Sequence, residues 1–264
     1  MNGLILLRGG GDLASGVALR LHHAGFDVVI AELPRPLAVR RLVSFSEAVY
    51  AGQTTVEDVT ARLVTADQIE QTLARREIPV LIDPDANHLP ITNYGTVIDA
   101  RLLKTPPLPT PVPLHIGLGP GFSAPRDCHA VIETRRGHTL GRVYWSGTTS
   151  PDSGQPEGDP RRVLRAGEDG VLIVHARIGE HVEEGETIAS IQVDKDTSTQ
   201  VHSPFAGVLR GLLRDGMEVT RGLKLGDVDS RDDPALCRLV SDKALAVGGG
   251  VLEAMMNARN LSKN

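Results

Sequence analysis

Three consecutive glycines near the start of the chain, Gly9–Gly11, have the type and spacing needed to bind a phosphate group. Glycines let the backbone turn tightly and let a pyrophosphate approach it closely. A helix beginning at Asp12 would add free N–H groups and about half a positive charge. Glu32, about 20 residues beyond Gly11, carries a carboxylate that can accept hydrogen bonds from a ribose. The pattern predicts a nucleotide-like ligand, and the simpler alternative is a plain strand-to-helix turn.

A βαβ unit must hold these residues in place. Leu4–Leu7 is an apolar run typical of a buried strand, and Val28–Ala31 is a second one. Between them apolar residues recur at helical spacing, with Asp12 placed as the N-cap and Gly25 placed to end the helix. The apolar face consists of Leu13, Ala14, Val17, Ala18 and Leu21. The turn matches the dinucleotide-binding pattern Gly-x-Gly-x-x-Ala, with Ala14 in the third position.

Acidic residues end two further predicted strands. Val80–Ile82 precedes Asp83, and Val97–Ile98 precedes Asp99. Together with Glu32 these acids would lie at the carboxyl edge of one parallel sheet, where open α/β folds bind ligands. Asp83 stands directly before a proline, which favours a turn-capping role for that residue.

Arginines and a second glycine-rich loop add to the expected site. Arg35 follows Glu32 closely and can contact a phosphate; for the neighbouring pair Arg40 and Arg41, phosphate contact and a solvated face are equal alternatives. The loop Gly117–Phe122 is expected to close over the ligand. The expected ligand-binding residues are Gly9, Gly10, Gly11, Asp12, Glu32, Arg35, Asp99, Gly119 and Gly121.

The run 106–113 is rich in proline, as in a semi-rigid linker, and predicts a domain boundary. We expect a Rossmann-like nucleotide- or cofactor-binding domain at 1–105 and a β-rich domain at 114–264. The fold class is α/β: an N-terminal Rossmann-like parallel sheet, then a β-rich region with a barrel-sandwich module, then a C-terminal helix.

A weak internal repeat occupies about 161–229. Two halves share short strands and glycine turns at matched offsets, which indicates a small β-sandwich built by duplication. This region resembles the biotinyl/lipoyl carrier domain, the barrel-sandwich hybrid, in which the modified lysine lies at a hairpin tip. Lys195 is the corresponding residue. Because the segment from Lys195 to Gly207 is one residue longer than in lipoyl domains, we favour a structural barrel over a carrier.

Three glycines, Gly248–Gly250, stand inside the predicted C-terminal helix, at a cost of about 1 kcal/mol each relative to alanine. Two explanations fit them. Another backbone packs closely against the helix, or a second helix begins at Val251 with its N-terminus on an anion.

Cys128, His129, Glu133 and His138 are close in sequence, but their spacing does not support a metal site. On a strand Cys128 and His129 face opposite sides, and no paired cysteine or histidine motif accompanies them. A Ser-His-Asp order, a P-loop and a defensible pair of carboxylates are also missing from the sequence. We therefore expect neither a catalytic residue nor a metal ligand, and the sequence leaves open Cys128 as a nucleophile or as a sulfur ligand to a cofactor.

The composition excludes several classes of partner. The chain has 264 residues, a net charge of −5 and scattered basic residues, which argues against nucleic acid and against an anionic membrane. Two cysteines fit a reducing compartment. The first residues do not resemble a signal peptide and no run approaches a membrane span, so the cytoplasm is the expected location. The sequence is compatible with a homo-oligomer as well as with a monomer.

Five segments together resemble a known family. They are Arg8–Ala14, Glu32–Pro36, Gly117–Phe122, Val131–Val143 and Ser241–Ala254. Over nearly its whole length the chain is similar to the YqeB-type accessory proteins of selenium-dependent molybdenum hydroxylase systems. Its front third is also similar to the Rossmann part of the XdhC/CoxI maturation proteins.

The resemblance implies a role in maturing the molybdenum cofactor or supplying it to a xanthine-dehydrogenase-like hydroxylase, which would be the client. The ligand would be a nucleotide or a pterin-type phosphate at the glycine turn. One alternative is an NAD-dependent oxidoreductase, in which Glu32 would favour NAD because a carboxylate repels a 2'-phosphate. A second alternative is a lipoyl-like carrier or protein-interaction module.

Overall fold

Apolar runs in the chain form strands that belong to two separate units. The computed structural model describes residues 4–103, 105, 109–154 and 158–261, with side chains as far as residue 258. The first unit comprises Met1–Pro36, Ser44–Ser153 and Val240–Asn264, and the second comprises Leu37–Val43 and Gly154–Leu239.

The first unit combines strands and helices in alternation. Its strands are β1 (Leu4–Arg8), β2 (Asp27–Glu32), β3 (Gln53–Val56), β4 (Val59–Leu63), β5 (Ile78–Ile82), β6 (Thr96–Asp99), β7 (Leu114–Leu118), β8 (Ser123–Ala124), β9 (Ala130–Ile132), β10 (Val143–Tyr144) and β11 (Gly147–Thr148). Its helices are α1 (Asp12–His23), α2 (Ala48–Ala51), α3 (Ile69–Ala74) and α4 (Asp242–Leu261). Single turns of 3-10 helix lie at Phe45–Glu47, Ala66–Gln68 and Ile91–Asn93.

A nine-stranded sheet in the order β10-β9-β7-β6-β1-β2-β5-β4-β3 forms the centre of this unit. The strands from β9 to β4 pair in parallel, and β10 and β3 add antiparallel edges. From β1 the chain forms β2, then the edge pair β3 and β4, then β5 between β4 and β2, and it afterwards places β6, β7 and β9 on the other side of β1. The order therefore reverses beside β1, which is where open α/β sheets bind ligands at their carboxyl edge.

The two faces of the sheet are covered differently. Leu6, Val97 and Val29 belong to an apolar cluster on one face. Helices α1 and α4 pack against each other, and α4 also contacts β7 and β9. Since side chains alternate along a strand, the register places Ile132, which lies beside Gly250 of α4, on the opposite face.

Glycines allow this helix pair to approach closely. A Cβ on Gly16 of α1 would lie 2.6 Å from the Cβ of Ala244, and one on Gly248 would lie 2.8 Å from the Gly16 carbonyl oxygen. Helix α4 continues without a break through all three of its glycines. Of the two explanations for Gly248–Gly250, close backbone packing is therefore correct, and a new helix start at Val251 is wrong.

The expected boundary at 106–113 needs correction. Strand β7, which follows the proline-rich run, pairs in parallel with β6 in the same sheet. All five residues of β7 are buried, so this strand completes the core of the first unit instead of opening another. Residues 106–108 lie outside the described part of the chain. The physical reason is that burial of a largely apolar strand outweighed the linker-like composition before it.

The second unit consists of two four-stranded sheets, β12-β19-β17-β14 and β16-β15-β13-β18. Its strands are β12 (Val163–Arg165), β13 (Gly170–Val174), β14 (His181–Val182), β15 (Thr187–Gln192), β16 (Ser198–His202), β17 (Gly207–Leu212), β18 (Glu218–Val219) and β19 (Lys224–Asp229), with 3-10 turns at Arg41–Val43, Pro160–Arg162 and Pro234–Cys237. One apolar cluster from both sheets fills the interior.

The internal repeat in this unit has the predicted turn chemistry. Gly179 and Gly216 occupy matched positions with φ of 97° and 74°, and Gly185 and Gly222 do so with φ of 80° and 84°. Such values favour glycine because it lacks a Cβ. Across the described residues, every helix lacks either the length or the apolar character that crossing a membrane requires.

Replacing Gly250 by alanine should destabilise the protein. The new Cβ would lie 2.1 Å from the Gly141 carbonyl oxygen, and overpacking typically costs about 1–3 kcal/mol. Gly249 is the matched control, because it lies in the same helix with no atom within 4 Å of its Cβ position. Gly249→Ala should stabilise by about 1 kcal/mol. Urea unfolding measures the free energy of unfolding of both variants, and an equal change in the two would contradict the packing explanation.

Candidate functional site

The glycine turn lies between β1 and α1 at the carboxyl edge of the sheet. Gly9 has a φ of 92° and donates its N–H to the Ala31 carbonyl oxygen at 2.8 Å. Gly11 is the N-cap of α1, and its carbonyl oxygen accepts from the Ser15 N–H. Asp12 is the first helical residue and not the N-cap, which corrects the sequence expectation. A carboxylate in the first turn remains favourable for the helix dipole.

The middle glycine is packed by the protein itself. The Gly10 N–H donates to Glu32 Oε2 at 2.6 Å, and its carbonyl oxygen accepts from the Ser46 N–H at 2.8 Å. The other Glu32 oxygen accepts from the Leu33 N–H at 2.7 Å. Burial raises the pKa of the Glu32 carboxyl, although these two backbone hydrogen bonds favour its ionised form. Glu32 therefore holds the turn, a role that the sequence pattern did not assign to it.

Gly11 differs from its two neighbours. Its φ of −71° and ψ of −171° suit any residue, and no atom lies within 4 Å of the position that a Cβ would take. Neither backbone strain nor packing therefore requires a glycine here. The open space lies at the N-terminus of a 12-residue helix, where backbone N–H groups attract anions.

Two arginines and one carboxylate lie near the first glycine of the turn, where a Cβ on Gly9 would be 3.7 Å from Cγ of Arg101. Asp99 is completely buried and accepts from Arg101 Nε at 3.1 Å and from Arg101 Nη2 at 2.6 Å. A second guanidinium, that of Arg8, lies 4.0 Å from Asp99. Burial lowers the pKa of Arg8, and the nearby charge of Arg101 lowers it further. Asp99 thus orients Arg101, and Arg8 Nη2 donates to the Asp85 carbonyl oxygen at 3.2 Å. Arg8 and Arg101 are candidate site residues that sequence reasoning missed.

His115 is a second residue that the sequence did not single out. It is 1% exposed on β7, and the strand register places it on the same sheet face as Arg8 and Asp99. Neither of its ring nitrogens has a hydrogen-bond partner. Burial lowers the pKa of His115 to about 4, with a smaller opposing effect from Asp99. The imidazole is therefore neutral at physiological pH.

The second glycine-rich loop covers this face. Gly119 has a φ of 73° and would bring a Cβ within 2.6 Å of Thr134 Oγ1, and Gly121 has a φ of 106°. The loop places the Phe122 ring against Gly117, where a Cβ would lie only 2.4 Å from a ring carbon. The same ring meets His115 edge-on, with centroids 6.2 Å apart.

Other expected ligand contacts have different surroundings. Arg35 is exposed. Arg40 and Arg41 donate to main-chain carbonyls of the second unit, Leu236 and Leu239 for the former and Leu212 for the latter. These bonds match neither alternative considered for the pair. The carboxylate of Asp83 accepts from two backbone N–H groups of the following turn, as predicted for a turn cap.

The cysteine and histidine group near residue 130 does not form a metal site. No group of three or more potential metal ligands occurs in the described part of the chain. Burial raises the pKa of the Cys128 thiol to about 11, so it is protonated at neutral pH and a poor nucleophile. Glu133 instead accepts from the Arg135 and Ser150 N–H groups and thereby holds two loops together.

Lys195 lies at the tip of the hairpin formed by β15 and β16, and its side chain is exposed. The Asp194 carboxylate orders this tip by accepting from the N–H groups of Asp196 and Thr197, both at 2.9 Å. The extra residue noted in the sequence therefore leaves the lysine at the tip.

Part of the second unit matches a known family. Residues 163–228 match the Biotin_lipoyl family, described as biotin-requiring enzyme. This match supports the barrel-sandwich module predicted for about 161–229. The chain therefore joins a mixed α/β unit with a largely parallel sheet and a C-terminal helix to a biotin/lipoyl-type module.

A particular relative comes from Escherichia coli (strain K12) and is named "Uncharacterized protein YqeB". The two are 46% identical over 261 residues, which cover 96% of this chain and 47% of the relative. The chain thus spans about half the length of the curated relative that it matches. This similarity supports the likeness to YqeB-type proteins, and the relative's name assigns no activity.

Two solved structures share limited likeness. The ectoine utilization protein EutE (DoeB) from Ruegeria pomeroyi is 18% identical over 32% of this chain and 27% of its own, with a TM-score of 0.25. An aspartoacylase family protein from Mesorhizobium loti is 12% identical over 85% and 83%, with a TM-score of 0.28. At such scores neither likeness bears on fold or function.

Lowering the pH should reduce the stability of the fold, because the His115 imidazole is buried in its neutral form. The unfolded chain takes up the His115 proton near the ordinary pKa of 6.5, whereas the folded protein does so near 4. Stability is therefore lost as the pH falls from about 6.5 to about 4, by on the order of 3 kcal/mol. The groups acting on this imidazole are Asp99, Arg8, His129 and Arg101.

Urea unfolding of wild-type protein and of His115→Leu at pH 7 and pH 4.5 isolates the contribution of His115 to the pH dependence of stability, because the two proteins have all other titratable groups in common. The loss of stability on acidification should be smaller in the variant. An identical loss in both proteins would mean that His115 does not titrate as its burial requires.

Proposed function

We propose that the protein is an accessory factor that handles the molybdenum cofactor for a molybdenum hydroxylase of the xanthine-dehydrogenase type. Its Rossmann-like first unit would bind a nucleotide or a pterin phosphate at the glycine turn. The main support is Gly11, a glycine that neither strain nor packing requires and that leaves open space at a helix N-terminus. The guanidinium groups of Arg8 and Arg101, which lie near Asp99 at the same edge of the sheet, favour an anionic ligand.

The chemistry of the site favours binding over catalysis. The Cys128 thiol is protonated and the His115 imidazole is neutral and enclosed. The carboxylates of Asp99 and Glu32 are engaged by arginine and by backbone N–H groups respectively. A group that already holds the architecture together is poorly placed to exchange a proton with a substrate.

The NAD-dependent oxidoreductase receives weaker support. In that class the acid after the second strand hydrogen-bonds the ribose. Here Glu32 is 7% exposed, and each of its oxygens accepts from a backbone N–H group. The identity of the client enzyme and any link to selenium rest on the family resemblance alone.

Replacing Gly11 by leucine tests the proposal. The backbone conformation suits leucine and its Cβ meets no atom, so loss of the preferred N-cap should cost no more than about 1 kcal/mol. The side chain would occupy the open space and should abolish ligand binding. Native mass spectrometry of protein purified from a host that makes molybdenum cofactor should show a pterin or nucleotide adduct on the wild-type protein and none on the variant.

Gly249→Ala is the matched control, since it changes a glycine far from the turn that also meets no atom. It should keep the adduct. If Gly11→Leu folds normally and retains the adduct and hydroxylase maturation, the glycine turn is only architecture. The mass of the adduct identifies the ligand. A pterin mass would support the accessory factor, and a dinucleotide mass would support the oxidoreductase instead.

A second candidate function is supported by Lys195 at an ordered, exposed hairpin tip within residues that match the Biotin_lipoyl family. A carrier lysine bearing biotin or lipoate needs such access. Intact mass under denaturing conditions should then show a covalent adduct that Lys195→Arg lacks. An unmodified lysine in a host that attaches both groups would leave the module as a structural or partner-binding barrel.

A further inference from the structure

Ser46 Oγ, on the residue that contacts Gly10, is buried without a hydrogen-bond partner, and two further buried groups near the turn also have such atoms. These two are the imidazole of His115, through both ring nitrogens, and Nε of Arg8. The register pairs Arg8 with Asp99 and Asp99 with Gly117, and His115 lies two residues before Gly117 on the same face. The unsatisfied atoms of these two groups therefore belong to adjacent rows of side chains, directly beneath the carboxyl edge of the sheet.

Unsatisfied buried polar atoms are rare, because leaving them unpaired costs more than an apolar side chain of similar shape would. Apolar groups line one side of His115, since Leu6 and Val97 lie in its row and Phe122 meets its ring edge-on. The charged groups Asp99, Arg8 and Arg101 act on it from the edge of the sheet without a hydrogen bond to either ring nitrogen. Its backbone is already held, because the His115 N–H donates to His129 Nδ1 at 2.9 Å. A leucine would fill this position with less penalty, so the imidazole is unexplained by packing.

We propose that His115 is a ligand-binding residue that recognises a neutral polar edge of the molecule whose phosphate lies at the glycine turn, an inference that rests on the proposed function. Arg8 and Arg101 would hold the anionic part. His115 would select among phosphates by the group attached to them.

The chemistry of the imidazole limits what it can recognise. A neutral histidine offers one N–H donor and one nitrogen acceptor, and its low pKa of about 4 excludes a charged role at neutral pH. Its two nitrogens point in different directions, so one of them faces a given ligand edge, and it suits an uncharged heterocycle that presents a donor or an acceptor to that nitrogen. The amino-lactam edge that guanine and pterin share has this chemistry.

The loop above His115 supplies a route to it. Gly119 and Gly121 are both in the left-handed region, where glycine keeps conformational freedom that other residues lack. Both lie just before Phe122, whose ring packs over Gly117. A rearrangement of this loop would uncover the imidazole from the side on which Arg101 lies near Gly9.

The test compares two phosphates that differ only in the presence of a base. Isothermal titration with GMP and with ribose 5-phosphate is carried out on wild-type protein and on His115→Leu. We expect the variant to lose at least about tenfold in GMP affinity and to keep ribose 5-phosphate affinity within about twofold. We also expect a higher melting temperature, because an unsatisfied polar group has been removed.

Two further variants separate recognition from packing. Thr149→Val removes another buried atom without a partner, Thr149 Oγ1, and should raise the melting temperature without changing affinity for either phosphate. His115→Gln retains a donor and an acceptor and should restore part of the GMP affinity lost in His115→Leu.

Unchanged GMP affinity in His115→Leu would overturn the inference, and so would an equal loss for both phosphates. Either result leaves the proposed function standing, because the wild-type protein still binds phosphates. Failure of the wild-type protein to bind either phosphate would overturn this inference, whereas the adduct measured by native mass spectrometry decides the proposed function separately.

Discussion

The hydrogen bond from the Gly10 N–H to the buried Glu32 carboxylate determines the shape of the carboxyl edge. It joins the turn after β1 to the end of β2, and the second Glu32 oxygen holds the Leu33 N–H. Because Ser46 contacts the same glycine from the other side, the middle of the turn cannot move independently of the sheet. The open face of the turn is thereby confined to Gly11.

A second constraint comes from the close contact between α1 and α4. Helix α1 can present its N-terminus to the edge only if its body is held against the sheet. Gly16 and Gly248 allow another backbone to lie where side chains would otherwise stand. The C-terminal segment, distant in sequence, thus orients the helix that carries the candidate site.

Charge at the edge is arranged around Asp99. The carboxylate neutralises one of two neighbouring guanidinium groups, and its complete burial makes that pairing strong. Beneath it lies an imidazole without partners. Buried polar groups without partners lower the stability of the fold. Natural proteins commonly accept such a cost at functional sites, and ligand recognition by these groups is therefore proposed.

The sequence by itself determined the local elements: the βαβ unit, the strands that end in Asp83 and Asp99, the glycine turn and the repeat that forms the second unit. Periodicity and turn residues act over a few positions, so they can be recognised in the sequence before the fold is known. Only tertiary structure decided that β7 joins the first sheet, that Glu32 accepts hydrogen bonds from the turn, and that Arg8 and Arg101 lie near Asp99, one row of side chains from His115. Those relations join strands through long-range pairing and burial, which residue spacing along the chain does not encode.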